Sequence, residues 1–156
     1  MENKYRNIQF SRPALAWILA SGEFTLCSGA SDGIGFEIVQ QLSKYNISLA
    51  LVARNKERLD AAAKDLTCQV HTFSADVADT AALETVCQAA VTALGGLDIV
   101  VISAGNAGPE YLGTPVDKPE SFEYLQKVHV HSTLKMLQVR YALHCMGPRE
   151  TIGLSQ

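Results

Sequence analysis

Residues 28–35 read Ser-Gly-Ala-Ser-Asp-Gly-Ile-Gly, and they stand between a short apolar run, Phe24–Ser28, and an amphipathic helical pattern. In a strand–turn–helix unit, such glycines have separate roles. The first allows a sharp turn, the second lets the backbone approach a pyrophosphate, and the third lets the helix pack on the strand. The free N–H groups and positive dipole end of the helix also favour phosphates. A tight turn without a ligand is the alternative. We expect a nucleotide-binding turn made of Gly29, Ser31, Asp32, Gly33, Ile34 and Gly35.

The rest of the sequence alternates in the same way between apolar runs and helical patterns. A Gly- and Pro-containing stretch, 104–120, precedes the last long helical pattern. Asn55 stands where a helix N-cap is expected. Parallel strands need helical crossovers, and these are nearly always right-handed. The pattern therefore predicts an α/β protein with a doubly wound parallel sheet of the Rossmann type, strand order 3-2-1-4, and a candidate fifth strand at 151–155. The predicted strands are 24–28, 47–53, 69–74 and 97–103, and the predicted helices are 33–45, 56–66, 80–94 and 121–146.

The end of the second predicted strand indicates which nucleotide would bind. A carboxylate about 20 residues after the glycine turn holds the ribose 2′-hydroxyl in NAD-binding proteins. Here the strand ends Val-Ala-Arg-Asn, with Arg54 in that place. A guanidinium suits a 2′-phosphate, so NADP(H) is favoured over NAD(H), although the carboxylate of Asp32 adds negative charge near the phosphates. A solvated Arg54, and a different nucleotide such as a flavin, are the alternatives.

Composition excludes several classes of protein. The chain has 156 residues, 47% of them hydrophobic, with 13 Lys+Arg, 16 Asp+Glu and a net charge of −3. A disordered chain would be poorer in apolar residues, and a nucleic-acid binder would carry a basic surplus. Apolar runs stay below the roughly 18 residues that span a bilayer. The four widely spaced cysteines favour reduced thiols and a cytoplasmic location.

Residues 1–22 do not follow the alternating pattern. Lys4, Arg6 and Arg12 precede a short apolar stretch, 13–20, which loosely resembles a targeting segment. An organellar location is therefore the alternative to a cytoplasmic one. We divide the chain into an N-terminal extension, residues 1–22, and a dinucleotide-binding domain, residues 23–156; the family resemblance described next implies that this domain is incomplete at its C-terminus.

Four motifs in order resemble the short-chain dehydrogenase/reductase family, in particular its NADP-preferring members. The glycine turn carries Ser28 where the family has Thr, and Leu51–Leu59 reads LVARNKERL. Asp76-Val77 stands after the third strand, where the family has an Asp that contacts the adenine. Residues 102–105 read Ile-Ser-Ala-Gly where the family has Asn-Asn-Ala-Gly. The resemblance, from about Phe24 to Ser155, implies that Asp76 and Val77 lie at the adenine and that Ser103, Ala104 and Gly105 lie near the nicotinamide ribose.

The resemblance also implies hydride transfer between NADP(H) and a carbonyl or alcohol substrate, with a catalytic Ser and a Tyr-x-x-x-Lys pair. None of the five tyrosines is followed by Lys four residues later, and Gln156 stands where the Ser is expected. We place His131 at the family's relay Asn, against the alternative of a helix histidine without a chemical role. His129 and His131 do not share a helix face, so we expect no metal site.

Three accounts of the missing catalytic half stay open: a fragment of a longer reductase, a short product that binds cofactor or a partner, and completion by another chain. The first predicts an oxidoreductase, and the second predicts a catalytically inactive nucleotide-binding or regulatory module. In either case we expect this chain alone to be inactive. The resemblance further suggests a homo-oligomer formed through the fourth helix. Tyr111 and Leu112 are candidates for lining a substrate pocket.

Overall fold

The computed structural model of the protein describes residues 23–45, 47–105 and 119–145. Residues 1–22, the candidate fifth strand at 151–155, and Tyr111 and Leu112 lie outside these ranges. Strands and helices alternate as the sequence predicts. The elements are β1 Phe24–Ser28, α1 Gly33–Leu42, β2 Ser48–Ala53, α2 Lys56–Ala63, β3 Val70–Ser74, α3 Thr80–Leu94, β4 Ile99–Ile102, α4 Pro119–Gln126, a π-helical turn Lys127–His131, and α5 Ser132–Cys145.

The four strands form one parallel sheet in the order β3-β2-β1-β4, which confirms the predicted order. Leu26 of β1 is level with Ala50 of β2 and Val100 of β4. The chain runs outward from β1 to β3 and then crosses back to β4 on the other side of β1. Ligands of open α/β sheets bind where the strand order reverses in this way, at the carboxyl ends of the strands.

Helices cover both faces of the sheet, because successive side chains of a strand point to opposite sides. On one face, Cys27 and Leu51 pack with Leu42 of α1 and Leu59 of α2. On the other face, Leu26 and Val52 pack with three residues that lie in α3, the π-helical turn and α5: Leu83, Val128 and Met136. The continuous apolar runs of β1 and β2 are explained by this burial on both faces.

Two helices end earlier than their apolar periodicity predicts. Helix α1 ends at Leu42 rather than Tyr45, and α2 ends at Ala63 rather than Leu66. After both helices, backbone amides donate to the carbonyl oxygen three residues earlier in the chain. Tyr45 N–H, for example, donates to the Leu42 carbonyl at 3.0 Å. This tighter turn closes the helix while its apolar residues still reach the core.

The predicted N-cap is confirmed: the Asn55 side chain accepts from the amide of Arg58 at 2.8 Å. The last long helix was predicted as one regular helix over 121–146, and this is corrected in one respect. Residues 119–145 are helical throughout, but Lys127–His131 widen into a π-helical turn. We call α4, this turn and α5 together the fourth helix.

Candidate functional site

The turn after β1 brings two backbone segments into direct contact. Gly29 has a φ of 70°, and its amide donates to the Val52 carbonyl at 2.9 Å. A methyl group on Gly29 would lie 2.6 Å from the amide nitrogen of Ala104, which is closer than such atoms approach. Glycine is therefore required here by both conformation and space, and the turn ties together the ends of β1, β2 and β4.

The other two glycines of the turn differ in their surroundings. A Cβ atom on Gly35 would collide with the carbonyl oxygen of Gly29, so Gly35 allows α1 to pack directly on the turn. A Cβ atom on Gly33, whose φ is 60°, would meet nothing within 4 Å. Gly33 also lines an open cleft. The space beside Gly33 is therefore free for a ligand to approach the N-terminus of α1.

The cleft lies at the carboxyl ends of the strands and has a volume of about 420 Å³. Every residue that the sequence analysis assigned to cofactor binding lines it, except Gly35, which lies behind the turn. They come from all four strand ends: Gly29, Ser31, Asp32, Gly33 and Ile34 after β1, Arg54 after β2, Asp76 and Val77 after β3, and Ser103, Ala104 and Gly105 after β4. The fold thus brings together residues that are up to about 75 positions apart in sequence.

Asp32 has two partners in the structure. Its Oδ1 accepts from the Gly33 amide at 2.7 Å and caps α1, and its Oδ2 pairs with Nη2 of Arg58 at 2.5 Å. The side chains of both charged residues are more than half exposed, so the pair adds little stability. Its effect is electrostatic, because Arg58 offsets the negative charge that Asp32 brings to the cleft at the N-terminus of α1.

A second polar network crosses the cleft at the end of β2. Nη1 of Arg54 donates to the Tyr124 hydroxyl at 3.0 Å, and that hydroxyl donates to Oδ2 of Asp76 at 3.3 Å. The other Asp76 oxygen accepts from the Ala78 amide at 2.9 Å. Ser74 Oγ also donates to the Arg54 carbonyl at 2.9 Å. Arg54 is therefore held both at its backbone and at its guanidinium.

The end of β4 is joined to the glycine turn through Ser28. The Ser103 amide donates to the Ser28 carbonyl, and the Ala104 amide donates to Ser28 Oγ, each at 3.3 Å. A methyl group on Gly105 would lie 3.2 Å from Cε1 of His129. The segment 103–105 is thus fixed between the turn on one side and the fourth helix on the other.

Two described side chains of the fourth helix line the cleft. Val128 is 4% exposed and lines the cleft, as does Tyr124 one turn earlier. His129 lies against Gly105, whereas His131 is exposed and is not among the described residues that line the cleft. Such π-turns occur frequently at functional sites. The relay role of His131 stays a prediction.

Seven residues line the cleft that were not assigned to it from the sequence: Val52, Ala53, Asn55, Arg58, Ala75, Tyr124 and Val128. The signal for Arg58 was available, because it stands four positions after Arg54 in the first turn of a helix whose N-cap was recognised. Tyr124 and Val128 gave no local signal. They reach the cleft because the fourth helix crosses the end of the sheet, which is a long-range contact.

Residues 23–149 match the family model of the short chain dehydrogenases. The chain belongs to this family. The resemblance carried by the four motifs of the sequence is therefore confirmed.

Three proteins illustrate what this chain is similar to. An uncharacterized oxidoreductase of Staphylococcus epidermidis is 34% identical over 113 residues, which are 71% of this chain and 47% of that protein. A very-long-chain 3-oxoacyl-CoA reductase of Coprinopsis cinerea is 36% identical over 132 residues, 78% and 36% of the two chains. The crystal structure of L-sorbose reductase from Gluconobacter frateurii, complexed with NADPH and L-sorbose, superposes with a TM-score of 0.67 at 26% identity over 78% and 49% of the chains. The chain spans about half the length of these relatives or less.

Residues 23–45, 47–105 and 119–145 hold no group of three or more His, Cys, Asp or Glu side chains that could bind a metal ion. None of the helices in the same ranges combines the length and the apolar character that crossing a membrane requires.

Proposed function

We propose that this chain is the NADP(H)-binding part of an oxidoreductase that acts on a carbonyl or alcohol substrate. The observation that carries the proposal is the cleft at the strand-order reversal, which has free space beside Gly33 and includes Arg54 in its lining. The chemistry of the lining fits an extended dinucleotide with a pyrophosphate in its middle.

Each part of the cofactor has a candidate partner in the cleft. The backbone at Ser31, Gly33 and Ile34, with the N-terminus of α1, would hold the pyrophosphate. Asp76 and Val77 would contact the adenine, and Ser103, Ala104 and Gly105 would approach the nicotinamide ribose. When bound, the nicotinamide supplies the hydride-transferring carbon. The residues of this chain bind and orient it.

Arg54 supports NADP(H) rather than NAD(H). No carboxylate of the β2 end stands where it could accept from a ribose 2′-hydroxyl, and the Arg54 guanidinium can form paired hydrogen bonds to a 2′-phosphate. Among the similar solved structures, L-sorbose reductase is complexed with NADPH. Arg58, which lines the same cleft, adds a second positive charge.

The proposed chemistry includes no catalytic turnover by these 156 residues alone. None of the five tyrosines precedes a lysine by four positions, so the proton-transfer pair that the family resemblance implies is absent from the sequence. The alternative function is a catalytically inactive nucleotide-binding or regulatory module. Both functions include cofactor binding by this chain, and neither includes oxidation of NADPH by this chain alone.

Titration of the 156-residue chain with NADP⁺ and with NAD⁺ in a calorimeter tests the binding proposal. We expect NADP⁺ to bind more tightly, and we expect Arg54→Ala to weaken NADP⁺ by about tenfold or more, since each lost charge-assisted hydrogen bond is worth about 1.5–3 kcal/mol. The affinity of the Arg54→Ala variant for NAD⁺ should stay within about twofold of the wild-type value, which corresponds to a difference of about 0.4 kcal/mol. Equal losses for both nucleotides would contradict the role of Arg54, and NADPH oxidation by this chain would contradict the absence of catalysis.

We propose a cytoplasmic location for the protein, which is supported by the free thiols of Cys27, Cys68 and Cys87 among the described residues.

We also propose a homo-oligomer formed through the fourth helix. It is supported by four large side chains that are about half exposed or more and recur at helical spacing: Val130, Leu134, Leu137 and Tyr141.

A further inference from the structure

Tyr124 joins the two residues that the proposed function places at the adenosine end of the cofactor. Its hydroxyl accepts from Arg54 at 3.0 Å and donates to Asp76 at 3.3 Å. These partners are 70 and 48 positions away in sequence. Tyr124 belongs to α4 and lines the same cleft as both of them. The fourth helix therefore contributes a polar group directly to the site at the end of β2.

The direction of the hydrogen bonds follows from the chemistry of the three groups. A guanidinium donates only and an ionised carboxylate accepts only, so the hydroxyl must accept from Arg54 and give its proton to Asp76. Each bond involves a charged group, and bonds in such a chain polarise one another. The hydroxyl of Tyr124 is thus oriented by Asp76 to hold the guanidinium of Arg54.

Arg54 needs such an anchor, because its side chain is exposed. A free arginine side chain carries about 2 kcal/mol of rotamer entropy that it loses when it binds a ligand. Nη1 is engaged by Tyr124, which leaves the Nη2 and Nε donors of the guanidinium for an anion. Because Tyr124 holds the guanidinium in place before a ligand binds, Arg54 loses less side-chain entropy on binding.

We propose that Tyr124 is a positioning residue that sets the preference of this site for a 2′-phosphorylated nucleotide, by holding Arg54 in place from the fourth helix. This inference rests on the proposed function, since it presupposes that NADP(H) binds in the cleft. It assigns to α4 a role in cofactor selection, because Tyr124 of α4 contacts Arg54 at the end of β2, 70 positions earlier in the sequence.

Tyr124→Phe tests this, because it removes the hydroxyl and keeps the ring. We expect NADP⁺ to bind about 5- to 10-fold more weakly to the variant, with NAD⁺ changed by less than about twofold, as for the loss of one hydrogen bond to a charged group. Tyr45→Phe is the matched control: it removes a hydroxyl from a half-buried tyrosine that follows α1 and packs on the opposite face of the sheet. The control should bind both nucleotides like the wild type.

A second measurement separates positioning of Arg54 from a general structural role. In an Arg54→Ala background, Tyr124→Phe should weaken NADP⁺ no further, since the group that it holds is gone. The inference is overturned if Tyr124→Phe keeps the wild-type ratio of the two affinities, if it weakens NAD⁺ by the same factor as NADP⁺, or if its effect adds to that of Arg54→Ala.

The same titrations distinguish failure of the inference from failure of the proposed function. If the wild-type chain binds neither nucleotide, or prefers NAD⁺, then the proposed function is wrong and the role of Tyr124 is wrong with it. If the wild type prefers NADP⁺ and Tyr124→Phe does so equally, only the role of Tyr124 is wrong. Melting curves of all variants confirm that each is folded when it is titrated.

Discussion

Gly33 and Gly35 stand two positions apart, but the structure assigns them opposite sensitivities. A Cβ atom on Gly35 would collide with the Gly29 carbonyl, whereas a Cβ atom on Gly33 would enter the open cleft. We expect Gly35→Ala to lower the free energy of unfolding by about 3 kcal/mol, since the backbone must move. We expect Gly33→Ala to lower it by only about 1 kcal/mol, from its positive φ. Urea unfolding of the two variants measures this difference.

Nucleotide titration of the same two variants tests the function of the turn. Gly33→Ala should stay folded and lose NADP⁺ affinity by about tenfold or more, which is about 1.4 kcal/mol, because the methyl group occupies the space left for the pyrophosphate. A folded Gly33→Ala variant with wild-type NADP⁺ affinity would show that the pyrophosphate does not lie beside this residue.

At this scale, the sequence predicted residues that the fold brings to one cleft. Gly29, Gly33 and Arg54 were assigned because they follow strands, and strand ends meet at one edge of a parallel sheet. Asp76 was assigned from the family resemblance. Tyr124 was not recognised. Its position in the cleft depends on the crossing angle of the fourth helix over the sheet, and nothing in the residues around it encodes that angle.

The fourth helix shows the same limit at the scale of an element. Its helical character over 119–145 follows from its apolar spacing, but the π-helical turn at Lys127–His131 does not. That turn adds an extra residue to the helical repeat and so changes which side chains face the sheet. Val128 stands four positions after Tyr124, so both side chains reach the cleft as they would on a regular helix, and His129 lies against Gly105.

The exposed side of this helix leads to a prediction about assembly. Leu134 is 54% exposed and Leu137 is 49% exposed, and both lie on the part of α5 that faces away from the buried Met136. If the proposed oligomer forms through this helix, Leu134→Glu should convert it to a monomer, because a charge would be buried in the interface. Light scattering coupled to size-exclusion chromatography measures the mass of each species.

The same charge on a helix outside the proposed interface provides the control for this experiment. Ala61 is exposed on α2, which packs on the opposite face of the sheet, and Ala61→Glu adds the same charge without removing a large apolar side chain. It should leave the mass unchanged. A wild-type chain that elutes as a monomer, or a Leu134→Glu variant that stays oligomeric, would contradict the proposed interface.

For the whole molecule, two buried thiols make stability depend on pH. Burial raises the pKa of Cys27 to about 12 and that of Cys87 to about 11, from an ordinary value of 9.0. The unfolded chain therefore loses these protons above about pH 9 while the folded chain keeps them. Stability is complete below this pH and falls as the pH rises, by up to about 1.4 kcal/mol per pH unit for each thiol.

Urea unfolding at pH 8 and pH 10 tests this sign. The Cys27→Ala variant lacks one of the two thiols, so its free energy of unfolding should fall less between the two pH values than that of the wild type. Parallel falls in the two proteins would show that Cys27 does not contribute. The lower stability of the variant at pH 8, which is expected from the cavity that it creates, does not affect this comparison.

Ligand binding should stabilise the molecule as a whole, because the cleft is lined by residues from all four strand ends and from the fourth helix. At an NADP⁺ concentration of about 100 times the Kd, mass action adds about 2.7 kcal/mol, which raises the Tm of a domain of this size by roughly 5–10 °C. At the same NADP⁺ concentration, the Tm of the Arg54→Ala variant should rise clearly less than that of the wild type. With saturating NAD⁺, the rise in Tm should be the same for the variant and the wild type. A wild-type Tm that NADP⁺ leaves unchanged would contradict cofactor binding in this cleft, because a ligand that binds only the folded state must raise the Tm.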